Sequence, residues 1–326
     1  MKRTLLLVPL FVGLTGCDLR QFTADSTADM LHAASPQFNT VEDLEFAEAA
    51  APGNVVTMEA VWRVSPHNQD VLVELAQAWT SLAFGFYEDH IERARRTDDE
   101  NMAEHWRART KAAYTRGRMF GFILMNERQH VDGGPEAVYH QGIAQWRTYL
   151  QRFTNAADAP ALFWSGNAWL SYIQQSLDDP GALLDLPFAV ALMERVRALD
   201  EHYYHDGVHA FFGLYYASTP RDLGGRPDDS RREFEQALQA TGRRLLMYQV
   251  WYARYYAVMM QDRALFRRLL EEVIAAGDVY PEERLTNQVA KRRAMRYLAQ
   301  IDELIAPDST PAESTPSSSG GAAAHP

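Results

Sequence analysis

Cysteine is nearly absent from this chain of 326 residues, which has a single one, Cys17. No intramolecular disulfide can form, and a CxxC redox pair or a thiolate zinc site is excluded because each uses more than one cysteine. The chain also lacks a GxSxG elbow, a Walker phosphate loop and a GxGxxG turn before a helix. These absences argue against an enzyme, and we expect no cofactor.

Basic residues are also in deficit. The chain has 32 Lys and Arg against 43 Asp and Glu, and its formal net charge is −11. An acidic protein repels phosphate groups, so we expect no nucleic-acid partner and no charge-driven adsorption to anionic lipid. Hydrophobic residues make up 47% of the sequence, which is enough for a substantial core.

Long apolar runs are missing as well. The run at residues 5–12 is shorter than the roughly 20 residues that a membrane-spanning helix needs. It follows the basic pair Lys2 and Arg3, and it is followed by the lipobox sequence LTGC, which ends at Cys17. This order of a basic segment, an apolar segment and small residues is typical of a lipoprotein signal peptide.

The lipobox therefore predicts an exported, periplasmic lipoprotein. Residues 1–16 would be removed as the signal peptide, leaving Cys17 as a lipidated first residue that anchors the protein to the membrane. Asp18 follows the cysteine and favours retention at the inner membrane. The alternative is an ordinary signal peptide with an incidental cysteine.

Three further segments follow the signal peptide. Residues 17–38 are polar and mixed, which indicates a lipidated N-terminus and a tether. Residues 39–305 carry apolar side chains at helical spacing, broken by Pro, Gly and Asn or Asp, and predict an all-α domain. Residues 306–326 are dominated by Pro, Ser, Gly and Ala, a composition that predicts a disordered tail.

Weak internal repeats indicate how the helices are arranged. Small and aromatic residues recur in the order of a tetratricopeptide (TPR) helix pair at Ala76, Ala78 and Trp79, at Gly166, Ala168 and Trp169, at Phe212, Gly213, Tyr216, Phe234 and Ala237, and over residues 251–273. Such residues let neighbouring helices approach closely. We predict a TPR-like solenoid of about four divergent helical pairs, capped by a C-terminal helix at residues 281–305.

One motif resembles a metal site. His205 and His209 are four residues apart and would share a helix face, as the histidines of an HExxH zinc helix do. However, Asp206 replaces the glutamate, Gly207 weakens a helix interior, and no further ligand converges on the pair. We keep both histidines as weak candidates and favour polar contacts at the start of a helix.

Aromatic side chains are concentrated in two predicted helices. At single positions core packing is the simpler interpretation, but the excess of aromatics and methionines as a set favours an apolar ligand cavity or channel. The candidate lining residues are Phe211, Phe212, Tyr215, Tyr216, Tyr248, Trp251, Tyr252, Tyr255 and Met259.

Basic pairs recur in the C-terminal third, at residues 243–244, 267–268 and 291–293. Guanidinium groups could bind a carboxylate ligand or an acidic partner. We favour solvated helix faces balanced by nearby glutamates at residues 271–272 and 282–283.

The same C-terminal third carries a family resemblance. It contains GGRPDDSRREFEQAL, QDRALFRRLLEEVI and PEERLTNQVAKRRAMRYLAQIDEL, and the residues that carry the likeness are Gly224, Gly225, Phe234, Ala237, Asp262, Phe266, Leu269, Leu270, Leu285, Asn287, Ala290, Lys291 and Ala294. On these residues the chain resembles the T-component (TatT) family associated with TRAP transporters, over residues 43–305. The low-complexity tail is not part of that pattern.

The resemblance implies a partnership rather than a reaction. It implies a lipid-anchored periplasmic accessory protein that docks the solute-binding protein of a TRAP transporter. It further implies a homotrimer with a hydrophobic channel or pocket in each protomer, and a hydrophobic small-molecule ligand such as an apolar or amphipathic organic acid. The alternative from another class is a TPR adaptor that scaffolds envelope proteins through an open groove.

Overall fold

Helices form nearly all of the regular structure in the computed structural model, which describes residues 19–218 and 225–307. No strand occurs in these two ranges, and the all-α prediction is confirmed. Two π-helices, Ala83–Tyr87 and Tyr252–Ala257, continue α-helices without a break. The α-helices are α1 Leu19–Asn39, α2 Leu44–Val64, α3 Gln69–Leu82, α4 Glu88–Arg96, α5 Glu100–Arg128, α6 Gly134–Tyr139, α7 Ile143–Leu150, α8 Ala159–Gln174, α9 Pro180–Leu184, α10 Leu186–Leu199, α11 Tyr203–Ala217, α12 Pro227–Ala240, α13 Met247–Trp251, α14 Arg263–Ala275, α15 Arg284–Ala299 and α16 Ile301–Leu304.

Side-chain caps fix where several of these helices begin. Asp43, Asn68, Asp99 and Asp262 precede α2, α3, α5 and α14, and each side-chain oxygen accepts hydrogen bonds from backbone N–H groups of the first turn. A capping Asp or Asn contributes about 1 kcal/mol, because those N–H groups have no partner within the helix.

Helix α1 occupies Leu19–Asn39, which is most of the segment over which we expected a tether. Helix α1 packs on α2 and α3, with Ala24 and Ala28 buried. The Asp25 carboxylate accepts hydrogen bonds from the side chains of Ser65 and Asn68. Two small residues one turn apart supply a contact face that the polar composition of the segment concealed.

Several sequence predictions fall on residues outside those ranges. Cys17 and Asp18, the signal segment before them and residues 308–326 of the predicted tail lie beyond the part of the chain that the structure describes. Among the described helices, none is both long enough and apolar enough to cross a membrane.

Neighbouring helices pack closely where the repeat pattern places glycine. An added Cβ at Gly166 of α8 would lie 2.9 Å from Sδ of Met193 in α10. One at Gly213 of α11 would lie 2.9 Å from the ring of Phe234 in α12. A Cβ at either position would force the neighbouring side chain to shift, so both positions mark close helix–helix contacts. The TPR-like solenoid itself stays a prediction.

The last long helix packs on helices from both the N-terminal and the C-terminal parts of the described chain. Helix α15 packs on its neighbours α13 and α14, and also on α1 and α2. Arg296 of α15 bonds to the carboxylates of Asp89 and Glu92 on α4. Arg292 reaches Asp89 at 3.1 Å, and Arg293 is 3.1 Å from Glu88. We call this set of six residues the closure cluster.

The closure cluster corrects our interpretation of residues 291–293 as a solvated basic face. Arg293 is buried. Burial by itself would lower its pKa, but Tyr297, Glu92 and Glu88 outweigh burial and raise the pKa. Its acidic partners lie about 200 positions earlier, beyond the reach of a local pattern. The pair Arg267–Glu271 does form on a helix surface as expected.

Loss of Arg296 should destabilise the fold strongly. We expect Arg296→Met to lower the free energy of unfolding by about 3 kcal/mol, because Asp89 would remain buried with less compensation. Urea denaturation followed by circular dichroism measures the change. The control is Arg267→Met, which removes an exposed pair 3.7 Å long and should cost about 0.5 kcal/mol or less. Equal losses in the two variants would contradict a structural role for the cluster.

Candidate functional site

A cavity of about 380 Å³ lies among the helices that the closure cluster brings together. Its wall is formed by residues of α1, α2, α3, α4, α8, α11, α13, α15 and both π-helices, together with Leu245 and Glu283. The N-terminal and C-terminal parts of the chain thus both contribute to it. This volume is in the range of pockets that hold small organic molecules.

Aromatic rings form one side of the cavity. Phe163 and Trp164 of α8 lie 5.5 Å and 4.7 Å from the ring of Tyr204, and Phe84 lies 5.5 Å from Trp251. Burial raises the pKa of Tyr204, so its hydroxyl stays neutral. Walls of this kind offer apolar contact area together with a few polar tips.

Two glutamates of the wall already have several partners. The Tyr114 hydroxyl donates to Glu88 Oε1 at 2.6 Å, and the Arg293 guanidinium donates to Oε2 at 3.1 Å. Burial raises the pKa of Glu88, although Arg293 opposes this shift. Glu283 is 3.0 Å from Nε2 of His205 and accepts a hydrogen bond from Thr286.

A third glutamate of the wall, Glu74 of α3, contacts two side chains of α1. Its Oε1 lies 2.7 Å from Nδ1 of His32 and accepts a hydrogen bond from the Ser35 hydroxyl at 3.0 Å. The side chain is buried, and burial raises its pKa while the His32 and Ser35 contacts act in the opposite direction. Glu74 is therefore a carboxyl group at the cavity wall without an arginine or lysine partner among the described residues.

Four of the nine proposed lining residues lie on the cavity wall: Phe211, Tyr248, Trp251 and Tyr255. Burial raises the pKa of Tyr255 to about 12, with a further contribution from Glu88. The other five are absent from the wall as the described residues define it: Phe212, Tyr215, Tyr216, Tyr252 and Met259.

Competing contacts account for three of those five residues. The Arg197 guanidinium lies 4.0 Å from the ring of Phe212, and that of Arg226 lies 4.3 Å from Tyr216. Tyr252 instead stacks on Phe234, with 5.2 Å between the ring centroids.

The second π-helix explains why one aromatic stripe is divided. The sequence pattern assumed uninterrupted α-helical spacing from Tyr248 to Met259, but residues 252–257 have the wider π turn. A π turn adds a residue and rotates the side chains that follow it. Tyr248 and Tyr255 reach the cavity, whereas Tyr252 packs on Phe234 of α12, the preceding helix.

The two candidate metal ligands do not share a helix face. Tyr204, His205 and Asp206 have φ values of 50°, 58° and 59°, so helical spacing does not relate His205 to His209. His205 contacts Glu283, while Nδ1 of His209 is 2.7 Å from Glu233 on α12. Within the described residues, no group of three or more His, Cys, Asp or Glu could hold a metal ion.

Sequence reasoning missed the half of the wall that comes from α1, α3 and α8. One signal was available in α3, where Glu74 interrupts the buried apolar series Val71, Leu72 and Leu75. A carboxylate on a buried helix face needs a partner or a function. The aromatic pair Phe163 and Trp164 carried no comparable signal, because aromatic residues are also common in ordinary cores.

Substitutions at two neighbouring phenylalanines should separate the cavity from the core. We expect Phe211→Leu to change the affinity of the neutral fluorophore N-phenylnaphthylamine, because Phe211 lines the cavity. Phe212→Leu is the control and should leave that affinity unchanged while lowering stability by about 1 kcal/mol. Fluorescence titration and thermal unfolding measure the two effects. A matching change in affinity for both variants would show that the fluorophore binds elsewhere.

Comparison with known proteins identifies the family. Residues 40–305 match the family model TAtT, described as the TRAP transporter T-component, and this range covers most of the chain. No curated protein matches the chain. On this match the chain belongs to the T-component family of TRAP transporters. Members of this family are accessory subunits of the transporter, and the family is not a known enzyme family.

Proposed function

We propose that this T-component is a lipid-anchored periplasmic protein that holds a hydrophobic organic ligand in its central cavity and docks the solute-binding protein of its transporter. The cavity of about 380 Å³ is the observation that carries this proposal. Aromatic and aliphatic side chains supply most of its wall, and polar side chains, among them three glutamates, supply the rest. That combination is typical of sites for small apolar ligands.

The sequence supports the position at the membrane. Cys17, the proposed lipidated residue, lies two positions before Leu19, where α1 begins. Helix α1 also contributes Leu31 and Phe38 to the cavity wall. A single helix would then join the lipid anchor to the ligand site, and anchoring would raise the local concentration of the protein near the transporter.

Docking of the solute-binding protein would explain why an accessory subunit has a ligand cavity. If the two ligand sites face each other in the complex, a hydrophobic molecule passes between the proteins without exposure of its apolar surface to water. We further propose a homotrimer, as the family resemblance implies. The adaptor alternative relies on an open groove, whereas the contact of α15 with α1 and α2 places helices from both parts of the chain around the cavity.

The docking proposal predicts a stable assembly. We expect native mass spectrometry of the full-length protein, released from membranes in detergent, to show a trimer. When it is mixed with the solute-binding protein of the same transporter, we expect that partner to appear on the trimer. A monomer that ignores the partner at micromolar concentration would contradict both parts of the proposal, and an unrelated periplasmic binding protein is the control.

The anchor is tested separately. We expect Cys17→Ser to abolish the mass added by acylation, because no other cysteine can carry the lipid. Mass spectrometry measures this outcome. Asp18→Ser is the control and should retain the lipid. An acyl mass that persists in the Cys17→Ser protein would contradict anchoring through this residue.

A further inference from the structure

Helix α1 exposes three large apolar side chains. Leu19 is 74% exposed, Phe22 is 69% exposed and Met30 is 64% exposed. None of the three packs on the hydrophobic core that the described residues form. Single exposed apolar residues are common on protein surfaces, but a group of them on one surface is typical of a contact with another molecule or with a membrane.

These three side chains lie on one face of the helix. Helical geometry places Leu19, Phe22 and Met30 within about 80° of one another around the axis, and the exposed Ser26 lies between them. The buried Ala24 is two positions from both Phe22 and Ser26, which turns it to the opposite side. We call Leu19, Phe22, Ser26 and Met30 the outer face of α1. One side of the helix thus packs on the protein, and the outer face points away from it.

The outer face begins beside the proposed lipid anchor. Leu19 is two positions after Cys17 in the sequence. Because consecutive α-carbons are about 3.8 Å apart, the α-carbon of Leu19 lies no more than about 8 Å from that of Cys17. Acyl chains on Cys17 would therefore hold the first turn of α1 at the level of the lipid head groups.

A second copy of the chain fits the outer face less well than a membrane does. A stable protein–protein contact buries about 800 Å² on each partner, whereas this face has three large apolar side chains along about 17 Å of helix. These side chains cannot supply that area by themselves. A membrane contact needs less area, because the acyl chains already provide most of the affinity for the bilayer.

We propose that the outer face of α1 lies on the bilayer surface, with Leu19 and Phe22 inserted among the lipid chains. This inference rests on the proposed anchor at Cys17 and adds a second contact with the membrane. Insertion removes the apolar area of both side chains from water. The exposed Asp29, at the edge of the outer face, stays among the head groups.

Contact through the outer face would orient the whole protein. Helix α1 also contributes Leu31 and Phe38 to the cavity wall, so the helix that lies on the bilayer borders the ligand site as well. An acyl chain alone raises the local concentration of the protein but leaves it free to rotate about the anchor. A helix on the surface would hold the cavity in one orientation relative to the membrane.

A spin label at position 26 tests the proposal. The single cysteine of the chain, Cys17, is blocked by acylation, so a nitroxide reagent reacts only with the cysteine of Ser26→Cys. Power saturation is measured by electron paramagnetic resonance on the acylated full-length protein in phosphatidylcholine nanodiscs. Oxygen concentrates in the bilayer, whereas a nickel chelate stays in water. We expect oxygen to be the more accessible collider at position 26, and the chelate at the control position of Leu184→Cys on α9.

Removal of the apolar side chains identifies their contribution. In the labelled Ser26→Cys protein, we expect Leu19→Ser combined with Phe22→Ser to reverse the preference, so that the chelate becomes the more accessible collider. The matched control is Leu184→Ser, which removes a side chain that is 75% exposed, and should leave the oxygen preference at position 26 unchanged. Circular dichroism verifies that each variant is folded, and mass spectrometry verifies that it is acylated.

The outcomes separate this inference from the anchor on which it depends. A chelate preference at position 26 in acylated protein with Leu19 and Phe22 in place would overturn the inference and leave the anchor standing. An oxygen preference that survives the double substitution would overturn the contribution of Leu19 and Phe22. Dipolar broadening between labels would assign the outer face to a contact between copies of the chain. If no acyl mass is found, the proposed anchor and the inference both fail.

Discussion

The contact between α15 and α4 is the constraint on which the rest of the structure depends. Asp89 and Arg296 are separated by 207 positions, yet both are nearly buried and bond directly. A buried ion pair gives little net stability against apolar residues of the same size, but the loss of one partner is costly. The pair Asp89–Arg296 therefore acts mainly by holding α15 in one position relative to α4. A slip of α15 by one turn would leave buried charges without partners.

Closure of the chain leaves space at its centre, and local backbone strain shapes that space. Three successive residues, Tyr204, His205 and Asp206, are left-handed, at a cost of about 1–2 kcal/mol each. Contacts offset this cost: the Tyr248 hydroxyl donates to the His205 carbonyl at 2.9 Å, and the His205 ring contacts Glu283. The turn places Tyr204 and His205 in the cavity wall, where an α-helix would continue along α11.

The sequence predicted the parts of this arrangement that depend on local periodicity. Helical spacing correctly gave an all-α chain, and aromatic density indicated the helices that carry Phe211 and Trp251 to the cavity. Contacts between residues far apart in the sequence could not be predicted. Nothing near Arg293 in the sequence indicates that it is buried beside Glu88. Departures from regular helix, such as the π-helix at residues 252–257, have no clear signal in a single sequence.

Helix α1 shows how weakly one wall of the cavity is held by apolar packing. Its buried apolar side chains are the small Ala24 and Ala28, and its larger Leu31 and Phe38 are only partly buried, so burial of apolar area makes a limited contribution to its attachment. Hydrogen bonds that Asp25 accepts from Ser65 and Asn68, and the contacts of His32 and Ser35 with Glu74, supply much of the remainder. Such bonds each contribute about 1 kcal/mol net. Helix α1 is thus held by polar contacts together with limited apolar packing, and Glu74 belongs both to that attachment and to the cavity surface.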